Sequence, residues 1–228
     1  LKVKNEQKRF KLQQERINVI NRIRDVIELE KSDFVLIAGD LFDSPTPSET
    51  SILEVLEVIG KMHIPVLVIP GNHDHGALGT IWHHNDFHRN QKKMAPNLKV
   101  LLNRKPKELD NAVILPCPLL RKKDNLDPTA WIRDINWGEL SSNKARVVLA
   151  HGAIHGFSPP NYVLDEEVQS AENNLLNLRE LSNDQIDYIA LGDWHNLKQI
   201  NLKTWYAGTP EPDRFDQVKE QERGQILK

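Results

Sequence analysis

The sequence has little cysteine, few aromatic residues and almost no net charge. Cys117 is the single cysteine among 228 residues, so no disulfide can form within the chain, and a reducing compartment is favoured. No apolar run approaches the roughly 18 residues of a membrane-spanning helix. The 30 Lys and Arg residues against 32 Asp and Glu residues give a net charge of −2, which excludes a global basic signature for nucleic acid. We therefore expect a cytoplasmic protein that does not bind a membrane.

Hydrophobic residues still make up 39% of the chain, which is enough for a packed core. Between residues 12 and 27, Leu and Ile recur every three to five positions among charged residues, which is typical of an amphipathic helix covering one face of a sheet. A second helix is predicted to start at Ser48 and to end at Gly60. Short apolar runs at 99–102 and 112–116 predict strands of a second sheet. Alternating strands and helices indicate an α/β fold with parallel strands.

Four apolar runs of the strand type end directly before residues that can bind a metal. The runs are 34–38, 65–70, 146–150 and 187–191, and the polar residues that follow them are Asp40, Asn72, His73, His151, Asp193 and His195. Ligands of open α/β sheets bind beyond the carboxyl ends of the strands, so four such ends on one sheet would converge on one crevice. Oxygen and imidazole donors without thiolates favour manganese, iron or zinc and argue against a structural zinc site.

In wording and order, these segments resemble the motifs of the calcineurin-like metallophosphoesterases. The matches are residues 39–43 to Gly-Asp-x-x-Asp, 71–74 to Gly-Asn-His-Asp, His151 to a lone histidine, and 192–195 to Gly-His-x-His. The chain is most similar to the DNA-repair exonuclease branch that includes the bacterial SbcD nuclease subunit. The segments most similar in sequence are 36–43, 190–195 and 206–215. The resemblance implies the metallophosphoesterase fold, an α/β two-sheet sandwich flanked by helices.

The sequence departs from the family pattern in two places. The family opens with a strand carrying Asp-x-His, but the only candidates here are 86–88, which no apolar run precedes, and 193–195, which already supplies the last motif. We therefore expect one metallophosphoesterase domain over residues 1–228 without the first strand and without a C-terminal capping region. Asp193 stands where the family usually has histidine. A carboxylate there keeps a ligand and adds negative charge, which can alter the metal preference.

The resemblance implies phosphoester hydrolysis by two divalent metal ions, for which we expect Mn²⁺. The implied metal ligands are Asp40, Asn72, His151, Asp193 and His195. Asp40 would bridge the two ions, and His195 would serve the second ion together with ligands not visible in this sequence. His73 would face the substrate and protonate the leaving oxygen, with Asp74 orienting its ring and favouring the protonated form.

The resemblance further implies a DNA nuclease subunit that forms a homodimer and pairs with a coiled-coil ATPase of the SbcC type. Two alternatives stay open: a phosphodiesterase for small nucleotides, and a non-catalytic scaffold, which only the lack of Asp-x-His supports. A small substrate would need a narrow pocket walled by the loop 152–165, whereas DNA would need an open groove with basic rims. The short basic clusters are 121–123 and 92–93, a pattern more typical of solvated loops.

Overall fold

The computed structural model describes residues 5–155, 173–210, 224 and 226–228. The helices within these ranges are α1 (Glu6–Glu30), α2 (Glu49–Gly60) and α3 (Asn85–Met94). The strands are β1 (Val35–Ala38), β2 (Val66–Ile69), β3 (Leu98–Val100), β4 (Lys107–Glu108), β5 (Ala112–Cys117), β6 (Ala145–His151), β7 (Ala153–Ile154), β8 (Leu175–Leu176), β9 (Tyr188–Gly192), β10 (Lys198–Asn201) and β11 (Thr204–Tyr206). None of the helices in the described ranges is long and apolar enough to cross a lipid bilayer.

Two sheets form the centre of the molecule. The first has the order β1-β2-β3, and all its strands are parallel. The second has the order β10-β11-β9-β6-β5-β4, with a parallel centre and antiparallel strands β10 and β4 at its edges. The strand near residue 99 pairs with β2, so its predicted place in the second sheet is wrong, whereas the strand near residue 114 is in that sheet. The predicted α/β sandwich flanked by helices is confirmed.

The side chains of β2 show how the layers are held together. Leu67 and Ile69 face the second sheet and pack against residues such as Ile114, while Val66 and Val68 face the helices. This alternation follows from the two-residue period of a strand. All four residues of β2 are fully buried, and burial of each such side chain stabilises the fold by about 1.5 to 3 kcal/mol. A helical layer, two sheets and a layer of short turns therefore stack in that order.

The two predicted helices are confirmed, but Gly60 at the end of α2 has a different role from the one expected. The isoleucine side chains of α1 between residues 17 and 27 pack against the first sheet. α2 is capped by Ser48, whose hydroxyl accepts a hydrogen bond of 3.2 Å from the amide of Ser51. Gly60 was expected to stop α2, but its main effect is steric. A Cβ atom at Gly60 would collide with the carbonyl oxygen of Met94, so glycine allows α2 to approach the end of α3.

The sequence pattern did not predict α3. Phe87 is the only buried residue of this helix, so no apolar stripe with a helical period is visible in the sequence. The edge of the Phe87 ring contacts Trp82, with the ring centroids 5.5 Å apart. Phe87, together with the partly buried Met94, therefore anchors a helix that is otherwise polar.

Candidate metal centre

The predicted site residues lie where the carboxyl ends of the two sheets meet. In the first sheet, β1 and β2 end side by side, with Ala38 opposite Ile69. In the second sheet, β6 and β9 end side by side, with His151 opposite Gly192. The prediction that all four strand ends belong to one sheet is wrong, because each sheet supplies two. The crevice lies between the sheets, and each sheet contributes candidate ligands.

His151 is the centre of the cluster. Its Nε2 atom lies 3.0 Å from Asn72 Oδ1, 3.4 Å from Asp40 Oδ2 and 3.6 Å from Asp193 Oδ1. His151 is only 1% exposed, whereas the side chains of Asp40 and Asp193 are 27% and 32% exposed. The structure thus brings together four of the five residues that the sequence predicted as metal ligands.

The proton on His151 can be placed from its other ring nitrogen. Nδ1 lies 2.7 Å from the carbonyl oxygen of Ala38, and since a carbonyl can only accept, Nδ1 carries the proton. In a neutral ring Nε2 then has a lone pair, and it faces oxygen acceptors from Asp40, Asn72 and Asp193. With Asn72 Oδ1 facing Nε2, four acceptor atoms at these distances favour a cation among them, either a proton on Nε2 or a metal ion.

The acidic surroundings also act on the imidazole. Burial lowers the pKa of His151, but the charges of Asp40 and Asp193 outweigh burial and raise the pKa above its ordinary value. The buried pocket therefore favours positive charge at this point. A metal ion bound by the same oxygens would replace the proton as the source of that charge.

The spacing of the donor atoms suits a metal shell. At metal–ligand distances of about 2.1 Å, neighbouring ligand atoms lie about 3.0 to 3.4 Å apart in octahedral or tetrahedral shells. The separations of 3.0, 3.4 and 3.6 Å around His151 Nε2 are close to that range. Among the described residues, however, no group of three or more His, Cys, Asp or Glu side chains is placed so that it could hold a metal ion by itself. The four residues, one of which is an asparagine, thus form a partial shell.

Asp74 joins the two turns of the first sheet. Its Oδ1 accepts hydrogen bonds from the amides of Gly71 at 2.8 Å and Asp40 at 3.3 Å, and its Oδ2 accepts one from Phe42 at 3.2 Å. Asp74 is fully buried; burial, and then the charge of Asp40, raise its pKa to about 6, against the opposing effect of the amide hydrogen bonds. Both oxygens of Asp74 thus bind main-chain amides, and its expected role in orienting the ring of His73 stays a prediction. Its observed part is therefore to position the turn.

Asp40 and Asp193 both occupy unusual backbone conformations. Asp40 has φ 54° and Asp193 has φ 106°, a region that side chains other than glycine rarely adopt. Such strain costs about 1 to 3 kcal/mol per residue and persists where the surrounding structure enforces it. The carboxylate of Asp40 is held in place by the amide of His73, which donates to Oδ1 at 2.9 Å. Oδ2 of the same carboxylate is the atom that faces His151.

Glycines directly before the candidate ligands allow the turns to approach one another. A Cβ atom at Gly39 would collide with the ring of His151, and one at Gly71 would collide with the carboxylate of Asp40. A Cβ atom at Gly192 would collide with the carbonyl oxygen of Ala38 in the other sheet. The signal was visible in the sequence, because a glycine follows each of these three apolar runs.

The sequence did not predict a role for Trp82, which contacts residues of both turns of the first sheet. Its indole N–H donates to the carbonyl oxygen of Asp74, and the residue is fully buried. Its ring packs against Phe42, which follows Asp40, with the centroids 5.7 Å apart. No local pattern in the sequence connects Trp82 with residue 74. The contact depends on the path of the chain between them.

His73 and His195 occupy the expected turns. His73 follows Asn72 and is half-buried, and His195 lies two residues after Asp193, where its carbonyl accepts from the amide of Thr209 at 2.9 Å. The roles assigned to the two rings stay predictions. Most of the predicted loop 152–165 and the last five residues of the segment 206–215 lie outside the described residues.

Comparison with known proteins agrees with this architecture. The family model described as calcineurin-like phosphoesterase matches residues 13–197. The chain is similar to the solved structure of TT1561 of Thermus thermophilus, with a TM-score of 0.54 and 12% identity over 84% of this chain and 83% of that one. A second solved structure gives a TM-score of 0.51 and 13% identity over 84% and 85% of the two chains. At these identities the likeness shows a shared fold, and the match over residues 13–197 shows that the chain belongs to the calcineurin-like phosphoesterases, a family of metal-dependent phosphoester hydrolases.

Proposed function

We propose that this chain is the nuclease subunit of a DNA-repair enzyme and hydrolyses phosphodiester bonds with the help of two divalent metal ions, expected to be Mn²⁺. The observation that carries the proposal is the group of oxygen atoms from Asp40, Asn72 and Asp193 around the buried His151 Nε2, an arrangement that favours a cation. The substrate follows from the resemblance to the SbcD type. By the same resemblance we propose a homodimer and a coiled-coil ATPase partner of the SbcC type.

The residues of the partial shell have distinct tasks in this proposal. Asp40, Asn72, His151 and Asp193 would hold one ion, with Asp40 shared with a second ion that His195 also binds. Bound divalent ions supply an activated water and stabilise the charge that develops on the phosphoryl oxygens. The hydrogen bond from His73 N–H fixes the Asp40 carboxylate so that Oδ2 is presented to the shell. The mixture of carboxylate, amide and imidazole donors is compatible with manganese.

His73 is proposed as the general acid. It lies in the same turn as the candidate ligand Asn72 and is half-buried, which is compatible with this role. Donation of a proton to the leaving oxygen typically accelerates such a reaction by about 10² to 10⁴-fold. His73→Ala should therefore lower turnover by that factor while the bound manganese per chain stays unchanged. Loss of the metal in this variant would contradict the assignment.

Metal-dependent hydrolysis of phosphodiesters is tested by the manganese content of the protein and by its hydrolysis of bis-p-nitrophenyl phosphate. Asp193→Asn removes one charge from the shell and should lower both quantities, whereas Asp110→Asn removes one charge from an exposed turn and should change neither. Wild-type protein should lose activity in chelator and regain it with Mn²⁺. Failure of the wild type to bind manganese would refute the proposal and favour the non-catalytic scaffold.

The proposal that DNA is the substrate is tested with end-labelled linear duplex DNA and with small nucleotide diesters under the same conditions. Shortening of the DNA in the presence of Mn²⁺ supports the nuclease. Cleavage of the small diesters alone would replace it with the small-nucleotide phosphodiesterase. The Asp193→Asn variant serves as the control for contaminating nucleases, because a contaminant would survive that substitution.

A further inference from the structure

A basic loop, residues 119–124, starts at the same edge as the metal centre. It directly follows Pro118 at the end of β5, and the last residue of β5 pairs with Ala150, the neighbour of His151. The amide of Leu119 donates to the carbonyl of Pro70 at 3.2 Å, and the amide of Gly76 donates to the carbonyl of Leu119 at 2.8 Å. The loop therefore begins alongside the turn that carries Asn72 and His73.

Asn174 fixes the far end of the basic loop. Its backbone N–H donates to the carbonyl of Asp124 at 2.7 Å, its Oδ1 accepts from the amide of Asp124 at 2.9 Å, and its Nδ2 donates to the carbonyl of Lys122 at 3.0 Å. Asn174 has φ 56°, a conformation that asparagine tolerates better than most residues. Its carbonyl oxygen occupies the space that a Cβ atom at Gly152 would need. The loop is thereby attached to the residue that follows His151.

Among the described residues, no ion pair neutralises the positive charges of the basic loop. Arg121, Lys122 and Lys123 are exposed, and none forms an ion pair with another residue in the described ranges. The carboxylate of Asp124 accepts instead from the amide of Leu126 at 3.1 Å. Burial lowers the pKa of His75, and the charge of Lys122 lowers it further. The charge of Lys122 therefore acts on the turn next to the site.

We propose that the basic loop binds backbone phosphates of a nucleic-acid strand next to the scissile phosphodiester, which makes a polymer the preferred substrate. The proposal rests on the proposed function and adds a place where the strand is held. Exposed Lys and Arg residues bind phosphates through charge and without sequence preference. Because the chain has a net charge of −2, the attraction must come from a local group of this kind. A small nucleotide lacks the neighbouring phosphates that the loop would hold.

The test compares two double variants that remove the same charge. Lys122→Ala/Lys123→Ala removes two charges from the loop, and Lys92→Ala/Lys93→Ala removes two from the exposed end of α3. That end leads into the start of β3, at the opposite edge of the sheets from the site. Binding of fluorescein-labelled duplex DNA is measured by anisotropy in chelator at several salt concentrations. The slope of log affinity against log salt should become shallower by about 1.8 in the loop variant and stay unchanged in the helix variant.

Lys122→Arg/Lys123→Arg is the rescue variant, since it keeps both charges and should restore the wild-type slope. The inference is overturned if the wild type does not bind DNA, or if both alanine variants bind as the wild type does or lose affinity equally. The assay contains no metal and requires no hydrolysis, so it is independent of the proposed activity. A protein that hydrolyses no phosphodiester but shows the loop-specific loss would refute only the proposed function.

Discussion

The contact between Gly192 and Ala38 gives the sharpest test of how the two sheets form the site. In Gly192→Ala the new methyl group would collide with the carbonyl oxygen of Ala38 and lie 2.9 Å from His151 Nδ1. The backbone of β1 cannot move away without weakening the hydrogen bond between Ala38 and His151. Overpacking of this kind costs about 1 to 3 kcal/mol, and the weakened hydrogen bond adds about 1 kcal/mol.

A total of about 2 to 4 kcal/mol should be visible in urea unfolding. With a slope of about 2.5 kcal/mol per molar urea for a chain of this size, the midpoint should fall by about 1 to 1.5 M. Gly138→Ala is the matched control, because a Cβ atom there meets nothing closer than Asn136 Oδ1 at 3.4 Å. Manganese content should fall in the first variant only, since the two sheets supply ligands in a fixed relation. Equal midpoints and equal manganese content for the two variants would refute the close approach of the sheets.

Three further predictions concern a thiol, a carboxyl group and a helix cap. Cys117 is fully buried and burial raises its pKa to about 12, so a thiol reagent should label it only after unfolding, as followed by absorbance with and without denaturant. The folded-state pKa of Asp74 is raised from 3.8 to about 6, so its contribution to stability is present below pH 3.8 and is lost as pH rises through 6. For the metal-free protein, the free energy of unfolding should therefore fall by about 3 kcal/mol as the pH rises through this range. Denaturant unfolding at pH 4 and at pH 7 should show this fall in the wild type and not in Asp74→Asn. Ser48→Ala should lower the free energy of unfolding by about 1 kcal/mol in the same assay, because α2 loses its N-terminal cap.

The strand ends and the first two helices could be predicted because their signals are local. A run such as 65–70 is apolar along its whole length and stops at Gly71, and the sequence alone shows both features. Four of the predicted ligands converge in the structure for the same reason, since each is placed by the strand that precedes it. Local patterns thus predicted which candidate ligands lie near one another and their order along the chain.

The relation of the two sheets could not be predicted, because strand pairing is set by contacts between distant residues. The short strand β3 has no feature that distinguishes pairing with β2 from pairing with β5. The hydrogen bonds of Asp74 could not be predicted for a related reason. Its partners include Asp40 and Phe42, more than 30 residues earlier in the chain, so its hydrogen bonds depend on the tertiary fold. The orientation of the Asp74 carboxylate therefore depends on residues that are distant in the sequence.

The order of the two sheets along the chain has a consequence for synthesis on the ribosome. All strands of the first sheet are complete by Val100, and the second sheet is built from residues after it. The inner face of β2, with Leu67 and Ile69, has no cover until β5 and β6 emerge. Roughly 50 residues separate Val100 from His151, so at about 5 to 20 residues per second this face stays open to water and to other chains for about 3 to 10 seconds. The nascent protein thus carries a risk of aggregation during this interval, when two of the five candidate ligands, Asp40 and Asn72, have already been made.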